Sequence, residues 1–212
     1  WARRVHPYWL SFLFGIPTGY ADHHMGMHHV ENNLPDDLSS TMRFQRDSFL
    51  HFLVYFARFF FIGIIEVPAY LGRSGKRMMM FRLVFGEIGH LAVIVGACAV
   101  SLPGGLVGFA LPFVVVRLLM MMGNWGQHAF VDPDEPNNDY KSSITCINAR
   151  YNRRCFNDGY HISHHLMANR HWTEHPDELE RNRDKYIEND AIIFEGIDFF
   201  MVSVYLLLHR YE

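Results

Sequence analysis

The sequence predicts an all-α membrane protein: a transmembrane helical hairpin with interfacial helices, carrying a histidine-rich cap on the cytosolic side. Three observations predict it. Residues 81–102 and 104–122 are apolar runs, each near the ~20 residues that a helix needs to cross a hydrocarbon core. A polar stretch, residues 124–190, follows them. The 212 residues include 14 histidines and are 50% hydrophobic yet 19% charged, too apolar for an ordinary soluble domain and too charged for a bundle of spans alone.

Pro103-Gly104-Gly105 between the two runs reads as their tight turn. Arg73, Lys76, Arg77 and Arg82 ahead of the first run favour cytoplasmic entry. Glu87, His90 and Arg117 lie within the pair, where charges are expected to face protein, water or one another. Residues 50–71 are apolar but carry His51, Arg58 and Glu66. A hairpin returns to the side it left. If every histidine cluster serves one site, residues 50–71 are therefore expected to lie in the interface, with Arg58 and Arg117 snorkelling. Residues 192–208, interrupted by Glu195 and Asp198, read as an interfacial or cap-packing helix or a further span. Residues 8–17 read as the tail of a membrane helix, and Ser39, Ser40 and Thr41 as caps for a short helix after them. The expected organisation is one domain over residues 1–212, N-terminally truncated, since the chain begins at Trp1.

The net charge of −3 argues against nucleic acid as a partner. Cys98, Cys146 and Cys155 have no CxxC spacing, which argues against a thiolate metal site or a disulfide framework. Met78–Met80 and Met120–Met122 suit adaptable packing.

Chemistry concentrates in the histidines. His24, His28 and His29 form HxxxHH, and His161, His164 and His165 form HxxHH. Residues three or four apart share a helix face, so each cluster can aim three imidazoles at one point. Asn124 and His128, four apart at the end of the second run, can aim at the cap as well. These seven histidines exceed the three or four protein ligands of one zinc and suit two metals. Imidazole alone does not choose among iron, copper, nickel and zinc. The membrane setting favours oxidation of an unactivated methylene, chemistry that a metal cofactor supplies. His23, Glu31, Asn157, Asp158, His171 and His175 are candidates to orient the ligands or border the site. A zinc hydrolase would act without oxygen. A non-enzymatic metal-binding or transport protein would place its ligands inside the spans.

At these residues the chain resembles the membrane fatty acid desaturase and hydroxylase superfamily. His24–His29 looks like that family's second histidine box and His161–His165 like its third. Asn124 and His128 look like the NxxxH element of acyl-CoA desaturases. The stretch from His24 through Glu31, Asp36, Ser39 and Arg46-Asp47-Ser48-Phe49 is also similar to alkane monooxygenases. The resemblance implies two iron ions held by His24, His28, His29, Asn124, His128, His161, His164 and His165, with dioxygen as co-substrate. It implies a lipid acyl or alkyl substrate, and electrons from a separate cytochrome b5, ferredoxin or rubredoxin type of donor, since no flavin or nucleotide fingerprint is present. Desaturation is the expected reaction, with hydroxylation of an alkane or acyl chain as the alternative. The family's first box is not found and His6 has no partner at the required spacing; either the box lies upstream of Trp1 or this chain alone does not complete both iron sites.

Overall fold

The computed structural model describes residues 11–211, with side chains from Leu13 onward. His6 and the start of the 8–17 run lie outside the described residues. The described chain is 60% helix and 3% strand, as an all-α class requires. It divides into two compact units, one drawn from Trp1–Val30 and Phe56–Met121, the other from Glu31–Tyr55 and Met122–Glu212.

Three helices are long and apolar enough to cross a membrane: α2 (Phe49–Arg73), α3 (Arg77–Val100) and α4 (Leu102–Gln127). The last two match the expected hairpin. By length and composition α2 is a third candidate span, where the sequence led us to expect an interfacial helix. Gly75, at φ 74°, makes the turn between α2 and α3, with the Lys76 amide closing onto the Leu71 carbonyl at 2.8 Å. The break between α3 and α4 is shorter than Pro103-Gly104-Gly105 suggested. Only Ser101 is extended, and its Oγ accepts from the Gly104 amide at 3.3 Å, so Pro103 already sits in the first turn of α4. A Cβ on Gly105 would lie 2.4 Å from the Cys98 backbone nitrogen, a closeness that only glycine permits. Phe85, Val95 and Val107 are each more than 60% exposed, as side chains facing lipid should be.

The first unit also holds α1, which runs Tyr20–His23, widens into a π-turn at His24–His28 and ends over His29–Glu31. Asn32 and Asn33, both left-handed, stop it. Its segment lies close on α3: a Cβ on Gly86 would meet the Thr18 hydroxyl, and one on Gly19 would meet Leu83. Charges inside the spans face one another, as expected. Arg117 makes two bonds to Glu87, at 2.8 and 3.1 Å, and donates to the carbonyls of Gly15 at 2.6 Å and Phe113 at 3.2 Å. Its guanidinium carbon lies 3.5 Å from the centre of the Phe113 ring. Arg117 is 4% exposed and therefore does not snorkel. Arg58 pairs with Glu66 at 2.8 Å, and Arg82 with Asp22.

The second unit carries the polar region and also residues 31–55, which sequence reasoning had left apart from it. Thr41 Oγ1 donates to the His128 carbonyl at 2.6 Å, Arg46 Nε to the Ala129 carbonyl at 3.0 Å, and Trp125 Nε1 to the Arg46 carbonyl at 2.8 Å. Ser39, Ser40 and Thr41 cap no following helix. Instead the Thr41 amide donates to Asn33 Oδ1 and Ser40 Oγ to the Asn33 carbonyl, closing the loop onto itself. Two strands, β1 (Thr145–Ile147) and β2 (Ile193–Glu195), pair in parallel with Cys146 opposite Phe194. Burial pushes the Cys146 thiol up to about 12, so it is an inert core group. Helices α5 (His161–Leu166), α6 (His175–Arg181) and α7 (Arg183–Glu188) follow in the order α5, α6, α7 ahead of β2. The closing helix α8 (Phe199–Leu207) is N-capped by Asp198 and has 9 residues, about 14 Å, too short to cross. Phe199 and Val202 pack with Ile144 and Cys146, so residues 192–208 supply a strand and a cap-packing helix.

Arg117→Met should lower unfolding stability in detergent by about 3 kcal/mol, because it strands a half-buried Glu87 carboxylate. Adding Glu87→Gln should recover most of that loss, read as the midpoint of thermal or denaturant unfolding.

Candidate metal centre

In the first unit the π-turn decides how the HxxxHH imidazoles face. A π-helix closes on the fifth residue rather than the fourth, and the His29 amide bonds the His24 carbonyl accordingly. His24 and His29 thus meet most closely, with ring centroids 4.6 Å apart and Nε2 atoms at 3.1 Å. His28 stacks on His24 at 5.2 Å and is buried. The α-helical reading expected the i, i+4 pair to be the closer one; the extra residue in the turn reverses that order. A Cβ on Gly26, midway through the turn, would lie 2.8 Å from Leu71 Cδ2 and would displace it. The Gly26 carbonyl accepts from Lys76 Nζ at 2.6 Å.

In the second unit α5 is a regular α-helix, and its i, i+4 pair meets as the spacing predicts. His165 and His161 face each other Nε2 to Nε2 at 3.1 Å, and His161 faces His128 at 3.3 Å. His164 lies beside them, its ring 5.6 Å from His161 and 6.0 Å from His165. His128 comes from the end of α4 and is fully buried. Its Nδ1 stands 2.7 Å from the Ser142 carbonyl. A carbonyl only accepts, so the proton sits on Nδ1 and Nε2 presents a lone pair to the cluster. Three nitrogens then share one proton at most, or one cation. A backbone carbonyl fixing one ring nitrogen while the other faces its neighbours is the arrangement that metal-bound imidazoles require. The donor set therefore fits a divalent transition metal.

Asn124, one helical turn before His128, donates through Nδ2 to the Tyr55 hydroxyl at 2.7 Å and to the Ser39 carbonyl at 2.9 Å. Its amide oxygen is the atom able to reach a metal or its water.

The other candidates divide. His175 is buried and its Nδ1 bonds Ser163 Oγ, on α5, at 2.9 Å; burial pulls its pKa below the usual histidine value. Arg170 donates to the same hydroxyl at 2.6 Å and pairs with Glu178 at 3.3 Å, and Tyr186 donates to Glu178 at 2.8 Å. This buried network behind α5 has no motif in the sequence; of its members only His175 was singled out. Asn157 Nδ2 donates to the Trp172 carbonyl at 3.1 Å, Tyr151 donates to Asp158 at 3.4 Å, and His171 Nδ1 meets Thr173 Oγ1 at 2.8 Å, all at the exposed surface. Glu31 is half-buried at the end of α1. His23 is buried against Phe59, at 5.6 Å between ring centres.

His23 also borders a half-open groove within the first unit. Phe59, Phe60, Ile64, Leu83, Leu91 and Phe113 make it apolar, and Glu87 and Arg117 add one ion pair to its wall. Tyr20, another wall residue, stacks on His24 at 5.1 Å. The groove thus begins beside a histidine of the cluster.

The model of the family described as fatty acid desaturase matches residues 1–196. No curated protein and no solved structure matches the chain significantly. The match covers most of the 212 residues and includes both histidine clusters, Asn124, His128 and all three apolar helices. The chain is a membrane protein that belongs to the fatty acid desaturase family.

Proposed function

We propose that the protein is an oxygen-dependent di-iron desaturase that introduces a double bond into the alkyl chain of a lipid. One observation carries the reading: in each unit, imidazole nitrogens face one another at 3.1–3.3 Å, a geometry that a cation resolves. His24, His28, His29, His128, His161, His164 and His165 would hold two irons, with Asn124 reaching one through water. Iron supplies the power to activate dioxygen and remove hydrogen from a methylene.

The residues around it do the rest. The Ser142 carbonyl holds the His128 tautomer, and the network of Ser163, Arg170, His175 and Glu178 holds α5 in place. The apolar groove takes the alkyl chain, excludes water from it and brings its methylenes past Tyr20 and His23. Desaturation needs two electrons and two protons beside the two hydrogens taken from the chain to reduce dioxygen to two waters. A separate carrier of cytochrome b5, ferredoxin or rubredoxin type delivers those electrons, on a cytosolic face. Hydroxylation of the same chain is the second reading, favoured by the likeness of residues 24–49 to alkane monooxygenases, since both reactions begin with the same hydrogen abstraction.

Purified protein should contain about two irons per chain. His28→Ala or His161→Ala should remove at least half of that iron, measured by elemental analysis, and abolish turnover; retention of both metals in these variants would contradict the ligand assignment. Product mass separates the two reactions: loss of two hydrogens marks desaturation, gain of one oxygen marks hydroxylation. Ile64→Trp, which fills the groove, should shift the preferred chain toward shorter alkyl groups by several methylenes, with iron content unchanged.

A further inference from the structure

The HxxxHH segment is gripped from outside by cations of the helical hairpin. Arg117 holds the Gly15 carbonyl, Arg82 holds Asp22, and Lys76 holds the Gly26 carbonyl. The third grip differs from the first two because it falls inside the π-turn itself. Gly26 is the central residue of His24–His28. A π-turn is less favourable than the α-helix that these residues could form, so something must hold it open. Two features do. Leu71 Cδ2 and Met79 Sδ close on Gly26, at 2.8 and 3.1 Å from where a Cβ would lie. Lys76 Nζ donates a charge-assisted bond of 2.6 Å to the Gly26 carbonyl. Lys76 is itself placed by the α2–α3 turn, where its amide bonds the Leu71 carbonyl, and its ammonium lies 5.8 Å from the Tyr70 ring centre.

We infer that Lys76 is a positioning residue for the metal centre: its bond to the Gly26 carbonyl keeps the π-turn open and so sets His24 Nε2 against His29 Nε2. This rests on the di-iron reading above for its consequence, though not for its geometry. If the turn relaxed to a regular α-helix, His29 would rotate by roughly 100° relative to His24, the angle of one helical residue. The nitrogen that now stands 3.1 Å from His24 would then leave that position.

The test uses Lys76→Met, which keeps the aliphatic stem and removes the charge, and Lys76→Arg, which restores a donor. Two readouts are taken on the full chain in detergent. In the metal-free protein, amide exchange across residues 20–31 should rise at least tenfold in Lys76→Met and return most of the way in Lys76→Arg, while exchange across α4 stays as in the wild type. Titration with ferrous iron, and with cobalt as a spectroscopic probe, should show one metal bound 10- to 100-fold more weakly in Lys76→Met and a changed cobalt absorption band, with recovery in Lys76→Arg. Wild-type exchange in Lys76→Met would overturn the inference whatever the metal results. Equal loosening in Lys76→Met and Lys76→Arg would also overturn it, since it would show a role for the lysine stem alone. If the wild type binds neither metal, the di-iron reading falls, and the exchange comparison still decides whether Lys76 holds the turn.

Discussion

Two imidazole nitrogens face to face at about 3 Å cannot both show a lone pair without repulsion, and cannot both carry a proton without collision. They can share one hydrogen or one cation. This constraint governs the described structure. It appears at His24 and His29, and again among His128, His161 and His165, in two units with different helical geometry. The surroundings hold it in place: a carbonyl fixes the His128 tautomer, a lysine props the turn at Gly26, and a buried network backs α5. Relaxed side chains would drift apart into hydrogen bonds with carboxylates or solvent. Their convergence at 3.1–3.3 Å is the geometry that supports the proposed metal centre.

What the sequence shows and what it hides follow from how regular each element is. The HxxHH cluster was legible because α5 is a true α-helix, so spacing and facing coincide. The HxxxHH cluster was legible as a group of converging imidazoles but not in its internal order, since nothing in His-Met-Gly-Met-His announces a π-turn. The lysine that supports the turn lies 50 residues away in sequence. The spans were legible from apolar length, and pairing of their charges from the cost of leaving a charge in hydrocarbon. Arg117 was misjudged because snorkelling depends on its depth and on a partner, Glu87, which only the packed hairpin supplies. Ser39 to Thr41 had the chemistry of helix caps, but their hydroxyls donate to Asp37, the Asn33 carbonyl and the His128 carbonyl instead. The two short strands were missed because three residues each leave no period to read.

The groove and the ion pair in its wall belong to the same physics. A chain of methylenes gains by leaving water for an apolar wall, while Glu87 and Arg117 are tolerable there only because each satisfies the other. Arg117 directs its Nη1 donors to the Gly15 and Phe113 carbonyls, so the pair offers little to a polar ligand. It closes the bundle without competing for the hydrocarbon.

The single extended residue between α3 and α4 has a practical consequence. A serine suffices to reverse the chain, so almost no loop backbone lies between α3 and α4. A protease or a bulky labelling reagent would find no substrate loop between these helices. An epitope inserted after Ser101 would be the natural handle for establishing which way the protein is oriented.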